Sequence, residues 1–318
     1  MKLVALAIAA FLTTAASVCT SQEAGPDARA SLTPEEAHEL ISRIQPGKKL
    51  LPSVWPGGKK AAVALTFDLD AELVWMDYPD QTTPSSLSRG RYGPRTGLKR
   101  ILDLLERKNI PATFFLPALV LELHPDAVAS IRATGTHEIG YHGYAHENVR
   151  TLTEKEERDV LRRGLGLFHK AGLRPGVYRS ASWNFSPSTL TLLQELGFRF
   201  DSSLMADDAP YEILADTIPT GVIELPVDWS MDDWPYFQLE WGTPLPGLRS
   251  PDEVLEIWKE EFEGIRSEGG VFTLTLHPQV IGRWSRLRML ERLIEYLDAN
   301  DVWFGTLREI GEYVVQEW

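Results

Sequence analysis

The chain has 318 residues, of which 43% are hydrophobic and 24% charged, which fits a globular core and excludes a disordered or fibrous chain. A net charge of −13 excludes nucleic acid and anionic lipid as natural partners, because an acidic surface repels both. Beyond the N-terminus, no stretch reaches the roughly 18 apolar residues that a membrane span needs, so no stable membrane anchor is expected.

The N-terminal segment differs from the rest of the chain. Residues 1–20 combine a basic start, an apolar run and small residues, which predicts a secretory signal peptide and hence a secreted protein. Cys19 is the single cysteine, so an internal disulfide is excluded. Residues 21–58 are polar, with a helical pattern at 33–44, and are expected to form an arm packed on the main domain at 59–318.

From residue 60 onward, short β-rich runs alternate with longer helical patterns. The predicted strands are 61–67, 112–116, 138–141, 176–180, 198–203, 222–227, 270–276 and 302–305. The predicted helices are 96–108, 125–134, 153–171, 187–196, 251–267, 285–299 and 307–315. This alternation predicts a single α/β domain with a closed or nearly closed parallel barrel, in which 71–95 and 204–250 are loops. Active sites of such barrels form at the carboxyl ends of the strands.

Two carboxylates stand at the end of the first predicted strand. Asp68 and Asp70 are two residues apart, so the period of a strand sends both to the same side. Carboxylates held this close repel each other, which favours either a bound cation or one raised pKa.

Two histidines follow the third predicted strand. His142 and His146 are four residues apart, so a helical turn or a tight loop places both imidazoles on one side. Imidazole and carboxylate together suit one divalent ion, with Zn²⁺ as the best candidate, and two histidines plus one carboxylate leave positions open for water and substrate.

Two further residues lie at predicted strand ends. Arg179 places a positive charge among the carboxylates, and we expect it to keep Asp68 ionised and correctly aimed. His277 ends the seventh strand opposite the predicted metal site, where a general acid would stand.

Taken together, five segments resemble the motifs of the polysaccharide deacetylases, the NodB-homology group of carbohydrate esterases. These segments are 66–68, 142–146, 179–183, 201–203 and 274–277. The resemblance covers about residues 60–310 and implies a distorted seven-stranded (β/α) barrel. It further implies that Asp68 is the catalytic base and His277 the catalytic acid. The implied metal ligands are Asp70, His142 and His146.

The first motif departs from the commonest family pattern, and this departure bears on the choice of substrate. Leu69 separates two aspartates that are adjacent in most members. This spacing is more similar to a subgroup that contains peptidoglycan deacetylases and relatives of the allantoinase or cyclic imidase type. The resemblance therefore implies a metal-dependent hydrolase of non-peptide carbon–nitrogen bonds and leaves open which molecule it hydrolyses.

Loop aromatics indicate the substrate class. Trp183, Trp229 and Trp234 lie near predicted strand ends, where flat rings stack on sugars, although some of these rings could equally belong to the core. Asp233 is a candidate contact to substrate hydroxyls or amines, or a loop cap, and the Tyr144 N–H is a candidate donor to the oxyanion.

These observations predict an exported deacetylase that removes N-acetyl groups from a GlcNAc-containing polysaccharide of the peptidoglycan or chitin type. The alternatives are an allantoinase-like or imidase-like amidohydrolase and a catalytically silent carbohydrate-binding barrel. Assembly into oligomers is possible in each case.

Overall fold

The computed structural model describes residues 32–76, 82–238 and 248–317, and the predicted signal peptide lies outside these ranges. The chain divides after Ile41 into two compact units. Helix α1 (Pro34–Ser42) confirms the helical pattern predicted there, and the Thr33 N–H and the Glu36 side chain close its first turn. Within the described ranges, no helix is both long enough and apolar enough to cross a bilayer. The predicted boundaries of the signal peptide, arm and barrel stay predictions.

Strands and helices alternate through the second unit. The strands are β1 (Gln45–Lys49), β2 (Ala61–Asp68), β3 (Thr113–Leu116), β4 (Glu138–Tyr141), β5 (Val177–Tyr178), β6 (Phe200–Asp201), β7 (Tyr211–Ala215), β8 (Ile218–Glu224), β9 (Val271–Leu276) and β10 (Val302–Phe304). The helices are α2 (Pro84–Tyr92), α3 (Leu98–Lys108), α4 (Val120–Leu123), α5 (Pro125–Ala133), α6 (Glu154–Lys170), α7 (Thr189–Leu196), α8 (Trp234–Phe237), α9 (Pro251–Glu268), α10 (Pro278–Ile281), α11 (Trp284–Asp298) and α12 (Leu307–Gln316).

The parallel strands follow one another in the spatial order β9, β2, β3, β4, β5, β6, β8. β10 pairs in parallel with the start of β2, and β7 and β1 extend the other edge in antiparallel pairing. The sheet curls with helices around it, which confirms the predicted α/β fold of the distorted (β/α) barrel type. Each predicted strand overlaps an observed one.

The chain after β8 brings the two ends of this parallel run together. Asp232 pairs in parallel with Thr275 of β9, and the Asp233 N–H donates to the Thr275 carbonyl at 3.1 Å. Two acids from the β8 side therefore stand beside the end of β9, where His277 follows.

Strand β2 separates two apolar layers by the period of two. Ala61, Val63, Leu65 and Phe67 pack outward in one core cluster with the surrounding helices. Their neighbours, Ala62 and Ala64, belong to a second cluster inside the curled sheet, which also contains Trp55, Leu307 and Ile310. Residues of α12 and the Trp55 ring fill the interior near the start of β2. The polar side chains at the other end of the strand therefore lie above packed apolar side chains.

Four segments differ from their predictions, and one of them is the short helix α8 within the predicted loop 204–250. Helix α2 lies within the predicted loop 71–95, beginning at the Thr83 cap and Pro84, which fixes the first turn. Strand β7 lies within the predicted loop 204–250, because Tyr211, Glu212 and Ile213 are buried and a turn at Asp216 (φ 56°) returns the chain into β8, with which β7 pairs. Strand β1, in the predicted arm, is held by its pairing with β7.

Candidate active site

The carboxylate of Asp68 lies inside the sheet at the end of β2 and is paired with Arg179. The Arg179 Nη1 lies 2.8 Å from Asp68 Oδ1, and both side chains are buried. Arg179 also donates to the Thr66 hydroxyl at 2.9 Å and to the Ser202 carbonyl and hydroxyl at 3.0 and 2.9 Å. Burial raises the pKa of Asp68, but Arg179 and His142 outweigh it and hold the pKa below its usual value. Asp68 is thereby kept as a carboxylate.

Asp70, His142 and His146, here called the metal triad, converge next to Asp68. Their ligand atoms all lie within 4.8 Å of one another, and the three side chains are buried. His142 Nε2 is 3.5 Å and His146 Nε2 is 3.9 Å from Asp70 Oδ1. Among the described residues, Asp70 Oδ1 has no hydrogen-bond partner, as expected of an oxygen reserved for an ion.

The loop between the two histidines fixes their orientation. His142 Nδ1 lies 2.8 Å from the Arg179 carbonyl, so it carries the proton and leaves Nε2 with its lone pair toward Asp70. Burial also lowers the pKa of His142, which favours the neutral ligand form. Gly143 (φ 81°) and His146 (φ 64°) are left-handed, so this loop is a tight turn and not a helical one.

Glu147 stabilises this turn and accepts the N–H of Tyr144, the predicted oxyanion donor. Its carboxylate accepts from the Tyr144 N–H at 3.0 Å and from the Ala145 N–H at 2.7 Å. The Tyr144 ring stacks instead with Arg163, whose guanidinium is 4.1 Å from the ring centroid. In this structure the Tyr144 N–H is therefore engaged by Glu147, and its donation to an oxyanion stays a prediction.

His277 faces the metal triad and is oriented by Asp233. Asp233 accepts from the His277 N–H at 3.0 Å, and its other oxygen lies 2.7 Å from His277 Nδ1. His277 Nε2 then points into the site, 3.7 Å from Asp70 Oδ2. Burial lowers the pKa of His277, but Asp232 and Asp233 outweigh it and raise the pKa to about 10.

Asp233 therefore differs from its prediction as a substrate contact. It is fully buried, and both of its oxygens engage His277. The prediction missed this role because 44 residues separate the two side chains. The only signal in the sequence is the adjacent pair Asp232 and Asp233 beside Trp234.

A cavity of about 220 Å³ collects these groups at the carboxyl ends of the strands. Its lining residues are Asp68, Asp70, Val74, His142, His146, Ser182, Trp183, Trp229, Asp232, Trp234 and His277. The Trp183 and Trp229 rings lie 4.2 Å apart, and Trp229 is 45% exposed. The Trp234 ring packs edge-on against His277 at 5.0 Å. The three tryptophans predicted as substrate contacts thus line the cavity, while Tyr144 and Asp233 lie outside the set.

The fourth motif lies below the cavity. Asp201 accepts from the Ser203 hydroxyl at 2.8 Å, and Ser203 Oγ accepts from the Ser180 N–H at 2.9 Å. Glu224 accepts from the Ser203 N–H at 2.9 Å. These bonds join the ends of three neighbouring strands and fix the backbone next to Arg179.

Asp68, His277 and the metal triad on one barrel mouth are the side chains that a hydrolase with a base, an acid and a metal would need. A sequence model of the polysaccharide deacetylase family matches residues 57–200. The peptidoglycan deacetylase of Helicobacter pylori is 32% identical, over 80% of this chain and 96% of that protein. The chain belongs to the polysaccharide deacetylase family.

Solved structures agree with this assignment. A protein from Mycobacterium smegmatis assigned to the polysaccharide deacetylases is 36% identical, with a TM-score of 0.78 over 86% of this chain and 96% of that one. An allantoinase is 27% identical, with a TM-score of 0.71 over 81% of this chain and 91% of that one. The chain is therefore similar both to deacetylases and to an enzyme named for a small cyclic amide.

Proposed function

We propose that this protein is an exported, metal-dependent deacetylase that hydrolyses the N-acetyl groups of a GlcNAc-containing polysaccharide, with peptidoglycan as the favoured type. The observation that carries the proposal is the convergence of Asp68, His277 and the metal triad on one cavity. The relative in Helicobacter pylori supports peptidoglycan, and the predicted signal at 1–20 supports export to where such a polymer lies.

The metal triad fits a zinc ion. Two imidazole nitrogens and one carboxylate oxygen are a common catalytic zinc set, and the orphaned Asp70 Oδ1 supplies the oxygen donor. The proton on His142 Nδ1 is held by the Arg179 carbonyl, an orientation typical of a ligating histidine. When bound, the ion supplies a Lewis acid that polarises the acetyl carbonyl and lowers the pKa of water.

Asp68 and His277 divide the proton transfers. Asp68, held ionised by Arg179, takes a proton from water as the water oxygen bonds to the acetyl carbon. His277, held protonated by Asp232 and Asp233, gives its proton to the nitrogen as the carbon–nitrogen bond breaks. The proton taken by Asp68 passes back to His277 through solvent, and the acetic acid formed gives its proton to the amine, so the products are acetate and an ammonium group.

The tryptophans provide surfaces for a sugar ring. Trp229 is half-exposed at the edge of the cavity and packs against Trp183, so its open face is available to a pyranose. Trp234 lies deeper, against His277, where it can contact the acetamido group.

A second candidate is a hydrolase of small cyclic amides. The cavity, at about 220 Å³, is below the usual size of ligand pockets, and a solved allantoinase shares the fold. A catalytically silent binding barrel is the third possibility, but a binder has no use for a paired base and acid.

The test compares acetate release from peptidoglycan, chitin oligomers and acetylxylan with ring opening of cyclic imides, before and after removal of metal by chelation. We expect turnover of N-acetylated glycan that stops on chelation and returns with Zn²⁺. Activity that survives complete removal of metal would refute the metal requirement, and turnover of cyclic imides alone would favour the second candidate.

A further inference from the structure

A second cavity, of about 440 Å³, lies beside the candidate active site and is rich in arginine. Arg89, Arg283 and Arg286 line it, together with Gln238 and Gln279. Such a concentration of positive charge contrasts with the net charge of −13 of the whole chain. A basic pocket on an acidic protein concentrates anions at one place.

The arginine cavity is connected to the catalytic residues through shared elements. Gln279, in α10, donates from Nε2 to Asp70 Oδ2 at 3.4 Å, and α10 directly follows His277. On the other side, the Trp75 ring contacts both the Arg89 guanidinium, at 5.1 Å, and the Trp234 ring, at 5.7 Å. The cavity therefore lies one side chain away from the groups that face the reacting bond.

Neighbouring arginines are usually paired with a carboxylate, but Arg283 and Arg286 have none among the described residues. Across residues 32–76, 82–238 and 248–317, neither has an ion pair: Arg283 lies 3.5 Å over the Tyr92 ring, and Arg286 Nη1 donates to the Val280 carbonyl at 3.2 Å. Asp233 attracts Arg286, but both of its oxygens are engaged by His277.

Half-burying the Arg286 guanidinium next to the exposed Arg283 has an electrostatic cost. Burial lowers the pKa of Arg286, and the positive charge of Arg283 acts in the same direction. An anion between the two groups would remove this cost, and a carboxylate matches the planar donor fork of arginine.

We propose that Arg283 and Arg286 form a subsite for a carboxylate that the substrate carries next to its N-acetylated sugar. The inference rests on the proposed function and narrows its substrate class. Chitin is neutral, whereas the sugar beside GlcNAc in peptidoglycan carries a lactyl carboxylate or a peptide with its own carboxylates. The subsite thus selects carboxylated glycan over neutral glycan.

The experiment compares matched tetrasaccharides of alternating GlcNAc and N-acetylmuramic acid, with the lactyl group as free acid or as methyl ester, together with a peptide-bearing form. kcat/KM is measured on the metal-loaded full-length enzyme. Binding is measured by calorimetry in an Asp68→Asn background, which prevents turnover. The variants are Arg283→Gln, the double variant Arg283→Gln with Arg286→Gln, and Arg288→Gln. Arg288 is an exposed arginine of the same helix that lines a different cavity.

We expect the wild-type enzyme to prefer the acid over the ester by roughly tenfold or more, as a charged hydrogen bond would give. The ratio should fall toward one in the double variant, should fall partly in Arg283→Gln, and should persist in Arg288→Gln. A preference for the peptide-bearing form would assign the carboxylate to the peptide, and a preference for the free acid would assign it to the lactyl group.

Equal kcat/KM and equal affinity for acid and ester in the wild-type protein would overturn the subsite, as would a preference unchanged in the double variant. If no tetrasaccharide is deacetylated but the acid still binds more tightly through these arginines, the proposed function fails and the subsite stands. Because binding is read separately from turnover, the two failures are distinguishable.

Discussion

On both sides of the cavity, an opposite charge lies next to a titratable side chain, but the two pKa values shift in opposite directions. On the base side, Asp68 is paired with Arg179, and the pKa of its carboxyl is lowered. On the acid side, Asp232 and Asp233 surround His277, and the pKa of the imidazole is raised to about 10. On each side a partner of opposite charge lies beside the group that transfers a proton in the proposed mechanism. Asp68, the proposed base, therefore stays ionised at the same pH at which His277, the proposed acid, stays protonated.

The partly buried Glu138 shows what a partner of opposite charge contributes. Among the described residues, Glu138, at the start of β4, accepts from the Thr113 hydroxyl and the Arg308 backbone N–H, and burial raises its pKa to about 7. Asp68 is more deeply buried, yet its pKa is lowered because a guanidinium contacts it. Burial alone would give a protonated acid, so Arg179 converts the site into a base.

The largest expected effect comes from removing either working group. We predict that Asp68→Asn and His277→Ala each lower kcat by roughly 10²–10⁴-fold, because each removes one proton transfer. Neither residue belongs to the metal triad, so metal content should stay near that of the wild type. Acetate release and elemental analysis measure the two quantities, and loss of metal in Asp68→Asn would reassign Asp68 as a ligand.

A smaller effect should follow from loosening the acid side while leaving His277 in place. Asp233→Asn keeps the shape but loses one of the two acceptors that orient the imidazole, so we expect kcat to fall roughly 10–100-fold with KM changed less. Asp208→Asn, in an exposed part of the chain, is the control and should retain full activity. An unchanged kcat in Asp233→Asn would contradict the claim that Asp233 orients His277 for proton transfer.

The smallest expected effect is on the free energy of unfolding. It concerns Glu138, whose carboxylate has no ion pair among the described residues. Since its folded pKa of about 7 exceeds the usual 4.5, its contribution is most favourable below pH 4.5 and is lost as the pH rises through 7. Glu138→Gln should therefore gain stability relative to the wild type from pH 5 to pH 8, by on the order of 3 kcal/mol at most.

Urea denaturation at the two pH values measures this difference, with the exposed Glu106→Gln as control. A pH-independent difference would show that Glu138 stays ionised, and the contrast with Asp68 would then not come from Arg179.

Sequence patterns predicted which residues lie at the strand ends, but few of the contacts between those residues. The period of two along β2 placed Asp68 correctly, and the spacing of His142 and His146 brought both rings to one side. Strand β7 was missed because its three buried residues, Tyr211, Glu212 and Ile213, are consecutive and give no alternating signal. The place of Asp233 was also missed, since no local pattern links it to a histidine 44 residues later.

By itself, the sequence determined the alternation of strand and helix, the mouth of the barrel as the place of chemistry, and the residue types available there. The pairing of Arg179 with Asp68, across 111 residues, followed from their places at the strand ends, but only the tertiary structure decided that Asp233 is the partner of His277. The physical reason is that side-chain periodicity reports which face of an element is buried, whereas distant contacts depend on the order in which strands pair. That order is fixed by the packing of the whole sheet and by the chain after β8, which returns to β9.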